Sequence, residues 1–318
     1  MARKLILDVD TGTDDAVAIM LAALHPDLEL VACTTVNGNA EVSYCTDNTL
    51  RVLDHIGRPD IPVYEGLHRP IVREDFPVPR GKDDAATKIH GKTLPLPATS
   101  RAKSNIGAVE FLIETYRAAT DEITLVPVAP LSNIAAALAL DSKFAERVPH
   151  VVIMGGGHET GNVTPSAEFN MWCDPEAAAA VLSAPFRTVT LVTLDATHRA
   201  LISRADCAAL KTLATPAGEA TAGIIERRIG IQDELQKLDL AESAPVHDAV
   251  CVASLIDPGI ISTRRLHVAV ETTGALTVGR TVIDTRGRRG KTPNCDVAFD
   301  ADARRFAALL LHAFRRPN

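Results

Sequence analysis

Short apolar runs alternate with helix-length segments along the first two thirds of this chain, and that alternation constrains the fold more than any other feature. Residues 3–9 read as a buried strand, 14–24 as a helix, 28–36 as a second strand, 41–56 as a helix and 61–64 as a short strand. A stretch rich in Pro, Gly and charge follows over 65–103; structureless segments of that length in compact domains are usually functional. Then come a helix (104–119), a strand (122–128), a helix from Leu131 through NIAAALAL, a strand (149–154), a helix (174–184) and a strand (187–193). Strand, crossover helix, strand, repeated, predicts an α/β fold: a doubly wound, mostly parallel sheet with helices on both faces. Beyond residue 200 the pattern is mainly helical to 257, with three short β-like stretches and a last helix (302–314), so extra helices are expected in the C-terminal part. No internal repeat or linker interrupts the 318 residues, and residues 1–318 are expected to form a single domain.

In sheets of this kind ligands bind beyond the carboxyl ends of the strands. The polar clusters of the chain fall at those ends. Asp8–Asp15 follows the first strand, Asn37–Asn39 the second, Val128 the fourth and Gly155–Asn170 the fifth, while Pro245-Val-His247-Asp248 opens a helix. Asp and Asn are also the ordinary turn and N-cap residues, so any one cluster alone is weak. The densest is LILDVDTGTDDAVAIM, which crowds Asp8, Asp10, Asp14 and Asp15 into eight positions. Close carboxylates repel one another and lose hydration on burial. Helix capping uses one or two of these acids and leaves Asp8 and Asp10 without a role. A haloacid-dehalogenase type of phosphatase would use Asp8-Val-Asp10 with Asp8 as nucleophile. Gly12 then stands where a hydroxyl residue belongs, and Asp83-Asp84 would have to serve as the distal acids without a convincing lysine. A divalent cation site gives the crowding a purpose, since hard cations such as Ca²⁺ take several oxygens at once.

Composition narrows the partners. A formal net charge of −7 and a pI near 5.8 lack the basic stripe of a nucleic-acid binder. No run of apolar residues is long enough to span a membrane. The chain passes from Met-Ala-Arg-Lys into a short apolar run, which does not resemble a secretory signal. Six scattered cysteines without a CxxC, most in apolar surroundings, read as reduced buried thiols. A cytoplasmic protein is expected.

Asp8-x-Asp10-x-Gly12-x-Asp14-Asp15 resembles the N-terminal signature of the nucleoside hydrolases, the inosine–uridine-preferring nucleoside N-ribohydrolases. The resemblance continues in order through Val36–Asn39, Ile89-His90-Gly91, Val126–Asn133, Met154-Gly155-Gly156, Gly161–Asn170, Asp174–Ala177 and Pro245–Ala249. Thr11 stands where the family usually has Pro, and Ala129 where it usually has Gly. Residues 223–243 contain no Tyr or Phe, where some relatives use aromatic residues to hold the base.

The resemblance implies a Ca²⁺ cofactor held by Asp10, Asp15, Asp248 and the carbonyl of Val128, with ribose hydroxyls and one water completing its shell. Asp10 would take the proton of that water and direct it at C1′, cleaving the N-glycosidic bond of uridine, cytidine or inosine through an oxocarbenium-like sugar. It further implies that Asp14, Asn39 and Asn170 bind ribose hydroxyls, Asn162 and Glu168 the 5′-hydroxyl, and that Met154 packs on the sugar. His247 and His90 are the candidates to assist the leaving base. Asp8 is expected to brace the loop, and Gly155–Gly157 to let the backbone approach the sugar. The partner is a small ribonucleoside, and relatives are commonly dimers or tetramers, so a homo-oligomer is expected. A nucleoside- or ribose-binding protein without catalysis is the rival of a different class.

Overall fold

The computed structural model describes residues 2–76, 89–235 and 240–315, the side chains of 232–235 aside. Asp83 and Asp84 lie outside the described residues. Twelve strands are described: β1 (Arg3–Val9), β2 (Leu28–Thr35), β3 (Val63–Glu65), β4 (Ile123–Pro127), β5 (Val151–Met154), β6 (Val189–Val192), β7 (Leu201–Ser203), β8 (Ser243–Pro245), β9 (Ile261–Leu266), β10 (Val268–Val270), β11 (Thr281–Ile283) and β12 (Cys295–Ala301). The helices that matter here are α1 (Thr13–Leu24), α2 (Val42–His55), α3 (Ala108–Ala118), α4 (Ser132–Leu140), α5 (Phe169–Cys173), α6 (Pro175–Ser183), α7 (Leu194–Thr197), α8 (Pro216–Leu235), α9 (His247–Ile256) and α10 (Ala303–Ala313).

Eight strands form the main sheet in the order β3-β2-β1-β4-β5-β6-β12-β9. All neighbours are parallel except β9, which pairs antiparallel with β12. The chain winds outward from β1 in one direction to β3, then returns to lay β4, β5 and β6 on the other side. The doubly wound expectation is therefore met, and the winding reverses between β1 and β4, where such sheets open a crevice.

β1 shows why the sheet is covered on both faces. Leu5 to Val9 are all buried, as parallel strands require. Leu5, Leu7 and Val9 join a core with residues of α1, α8, α9 and α10, whereas Ile6 joins a second core with residues of α3, α4 and α6. Alternation with period two divides one strand between two helical layers. All six cysteines are buried and free, as the sequence suggested. No helix among the described residues is long and apolar enough to cross a membrane.

The C-terminal part differs from the sequence reading. Four strands, not three, follow residue 257, and β12 enters the main sheet beside β6. The mainly helical region between 200 and 257 carries a small antiparallel pair, β7 with β8. α5, just before α6, was not anticipated. The strands depend on pairing partners that local periodicity does not report, and α5 is a five-residue helix capped by Glu168, too short to show a period.

Candidate active site

Asp10 directly follows β1, and Gly12 caps α1. Asp15 then folds back over the turn: its Oδ1 accepts from the Asp10 N–H at 3.1 Å and its Oδ2 from the Gly12 N–H at 2.9 Å. Asn39, in the loop after β2, donates its N–H to Asp10 Oδ2 at 2.6 Å and its side-chain amide to Asp15 Oδ2 at 3.3 Å. Two glycines make these approaches possible. A Cβ on Gly38 would fall on the Asp10 carboxylate, and one on Gly12 would fall on His90 Nδ1.

Asp248 arrives from the first turn of α9 and is buried. Carboxylate oxygens of Asp14, Asp15 and Asp248 lie within 4.8 Å of one another. Burial and the Asp14 charge push Asp15 up to about 7. Burial, followed by Asp14, Asp15 and Asp10, pushes Asp248 well above the ordinary carboxylate range. Asp14 goes the other way: burial opposes its ionisation, but the Arg228 guanidinium, 3.2 Å away, with His90 and His247, holds it well below the usual range. One buried guanidinium among four acids is too little positive charge, and a donor set made only of oxygens fits a hard divalent cation. This Asp cluster can hold a metal ion.

The floor of the site comes from β4, β5 and α5. Asn170 donates its side-chain amide to the carbonyls of Val128 (3.1 Å) and Met154 (3.2 Å), so the two strand ends share one clamp. Glu168 caps α5, accepting from the N–H groups of Asn170, Met171 and Gly156. Burial nevertheless raises its carboxyl to about 7. Asn162 is exposed at the rim, where its Oδ1 accepts from the Phe169 N–H at 2.9 Å. It is the candidate residue that stands apart from the buried cluster.

Two histidines face the carboxylates. His90 Nδ1 accepts from the Thr13 N–H at 3.1 Å and lies 3.7 Å from Asp14. The neutral ring therefore carries its proton on Nε2. His247 Nδ1 is hydrogen-bonded with the Thr197 hydroxyl at 2.7 Å. Burial, then the Arg228 charge, holds the His247 pKa well below the ordinary value. Asp8 stands behind the loop: its Oδ1 accepts from Thr34 Oγ1 (2.5 Å) and Asn133 Nδ2 (2.8 Å), tying β1 to β2 and α4.

A family model described as inosine-uridine preferring nucleoside hydrolase matches residues 5–308. The chain belongs to that family. As a nucleoside hydrolase it is an enzyme of the N-glycosidase class. It is 37% identical over 317 residues to the pyrimidine-specific ribonucleoside hydrolase RihB of Escherichia coli O1:K1 / APEC, covering 98% of this chain and 97% of the relative. Among solved structures, the plant nucleoside hydrolase PpNRh1 superposes with a TM-score of 0.90 at 27% identity, over 100% of both chains. The purine-preferring ribonucleoside hydrolase of Gardnerella vaginalis does so with a TM-score of 0.88 at 29% identity, over 98% of both.

Sequence reasoning about this nucleoside hydrolase missed three side chains around the site. Arg228 on α8 is buried against Asp14, His198 stacks obliquely on His247 with ring centroids 5.6 Å apart, and Thr197 orients His247. Only Arg228 left a signal. It falls in register with Ile224 and Ile225 on the apolar stripe of α8, where a charge needs a partner.

Proposed function

We propose that this chain is a Ca²⁺-dependent ribonucleoside hydrolase that cleaves uridine, cytidine or inosine to ribose and the free base. The observation that carries the reading is the buried carboxylate cluster at the switch point of the sheet. Asp10, Asp15, Asp248 and the Val128 carbonyl would hold the ion, which supplies a water of lowered pKa and a contact to the ribose diol.

Asp10 accepts the proton of the attacking water, its carboxylate aimed by the Asn39 N–H. The surrounding carboxylates stabilise the positive charge that develops on the sugar. Asp14, Asn39 and Asn170 bind the ribose hydroxyls, Asn170 being held in place by its clamp on two strand ends. Met154 packs against the sugar, and Asn162 and Glu168 take the 5′-hydroxyl. His247 and His90 assist the departing base. A 2′-deoxynucleoside leaves buried polar groups unpaired and reacts poorly. The name of the RihB relative favours pyrimidine nucleosides as the first substrates to try. We further infer that residues 1–318 act as one domain, in a homo-oligomer (dimer or tetramer) in the cytoplasm.

A panel of nucleosides assayed for reducing-sugar release, with and without chelator and with metal content measured alongside, tests the reading. Asp10→Asn is expected to lower kcat about 10²–10⁴-fold with little change in the unfolding midpoint; wild-type turnover in that variant refutes the mechanism. Tight nucleoside binding without hydrolysis over hours would instead favour a binding protein. Phosphate release from a generic ester, dependent on Asp8, would favour the phosphatase.

A further inference from the structure

Arg228 is 7% exposed. Among the described residues its Nε and Nη1 have no hydrogen-bond partner, although Nη1 lies 3.2 Å from Asp14 Oδ2. Buried N–H groups left without an acceptor are rare and cost free energy, more so on a charged side chain. Neutralising Asp14 alone does not require this arrangement, because a guanidinium can engage a carboxylate through two parallel N–H groups. Its charge is felt by His198, His247 and Asp248 as well as by Asp14. Asp14 and His247 are residues that the hydrolase reading places at the substrate, so the orphaned donors stand beside the substrate site.

We propose that Arg228 is a catalytic residue that stabilises the leaving base as an anion, by donating to the carbonyl oxygen next to the glycosidic nitrogen of a pyrimidine. This rests on the hydrolase reading above. The C1′–N1 bond breaks with its electron pair going to the base, and the charge spreads from N1 onto the O2 oxygen. The water oxygen bonds to C1′, and its proton goes to Asp10. The base departs as an anion paired with Arg228 and takes a proton from solvent after release. A guanidinium suits this part because it stays protonated and presents several donors in one plane. It also supplies what the aromatic residues missing from 223–243 do not, a fixed positive charge where negative charge develops.

The test compares uridine with 4-nitrophenyl β-D-ribofuranoside, whose leaving group is a stable anion without help. Wild type, Arg228→Ala and Arg228→Lys are assayed on both, with unfolding midpoints recorded. For Arg228→Ala the proposal expects a loss of about 10²-fold or more in kcat/KM on uridine, and less than about fivefold on the nitrophenyl riboside. Added guanidinium ion restores part of the uridine rate. Arg228→Lys keeps the charge beside Asp14 and folds even if Arg228→Ala does not; it too should lose far more on uridine. Equal losses on both substrates, or no loss on uridine, overturn the proposal and leave Arg228 as a partner of Asp14. A wild-type enzyme that hydrolyses neither substrate would instead refute the hydrolase reading.

Discussion

Asp8→Asn isolates the energetic cost of a buried carboxylate. Asp8 is fully buried, and among the described residues its Oδ2 has no hydrogen-bond partner. Burial raises its pKa to about 7 from an ordinary 3.8, against the opposing hydrogen bonds of Asn133 and Thr34. The native state therefore holds this proton more tightly than the unfolded chain. The stability that the proton contributes is complete below about pH 4 and is lost as pH rises through about 7. At about 1.4 kcal/mol per unit, a shift of roughly three units amounts to about 4 kcal/mol between those limits. Asn has the same shape, its carbonyl accepts the same two hydrogen bonds, and it does not titrate. Its NH₂ replaces the unpartnered Oδ2, which costs about 1–3 kcal/mol at every pH. Denaturant unfolding of both proteins in chelator, from pH 4 to pH 8, should show the wild type losing about 2–4 kcal/mol more than the variant as pH rises. Comparing the two cancels the other buried acids, and the chelator keeps ligand linkage out of the comparison. Parallel stability curves for the two proteins would show that Asp8 is ionised in the native state at no cost, and that reasoning would fail.

Three more perturbations probe the site. Gly38→Ala drives a methyl group into the Asp10 carboxylate, so kcat should fall at least about 10²-fold, as for a misplaced base, with the fold retained by circular dichroism. Thr197→Val removes the hydrogen bond that orients His247; kcat on nucleosides should drop about five- to tenfold with KM nearly held. Ca²⁺ at about a hundred times its Kd should stabilise the protein by about 2.7 kcal/mol in thermal unfolding, and Asp248→Asn should abolish most of that gain.

The parts of this molecule that were legible in its sequence are those governed by local rules. The strand 3–9 with its apolar Leu5-Ile6-Leu7, the turn at Asp10–Gly12 and the helix that follows each announce themselves, and so does the crevice that their strand ends define. Asp15 was legible from the crowding of acids after β1, and Asp248 from the Pro245–Ala249 block of the family resemblance. Glu168 was visible as an acid, but not that backbone N–H groups of Gly156, Asn170 and Met171 would engage it, because a cap is made by geometry that composition does not encode. Arg228 sits on α8, far in sequence from Asp14, and only the break in an apolar stripe hinted at it. The placement of β12 between β6 and β9 was not legible at all, since strand order depends on pairings about a hundred residues apart.

The distance between Asp15 and Asp248 has a consequence during synthesis. A ribosome adding about 5–20 residues per second releases α1 long before α9, the two acids being 233 positions apart. For an interval of roughly 3–11 s the nascent chain carries β1 to β6 but lacks Asp248, Asp248's neighbour His247 and the strand that extends the sheet beyond β6. A half-made chain therefore has an open sheet edge and an incomplete cation cradle. Completion of the three-carboxylate cluster and pairing along the β6 edge both await the last quarter of the polypeptide.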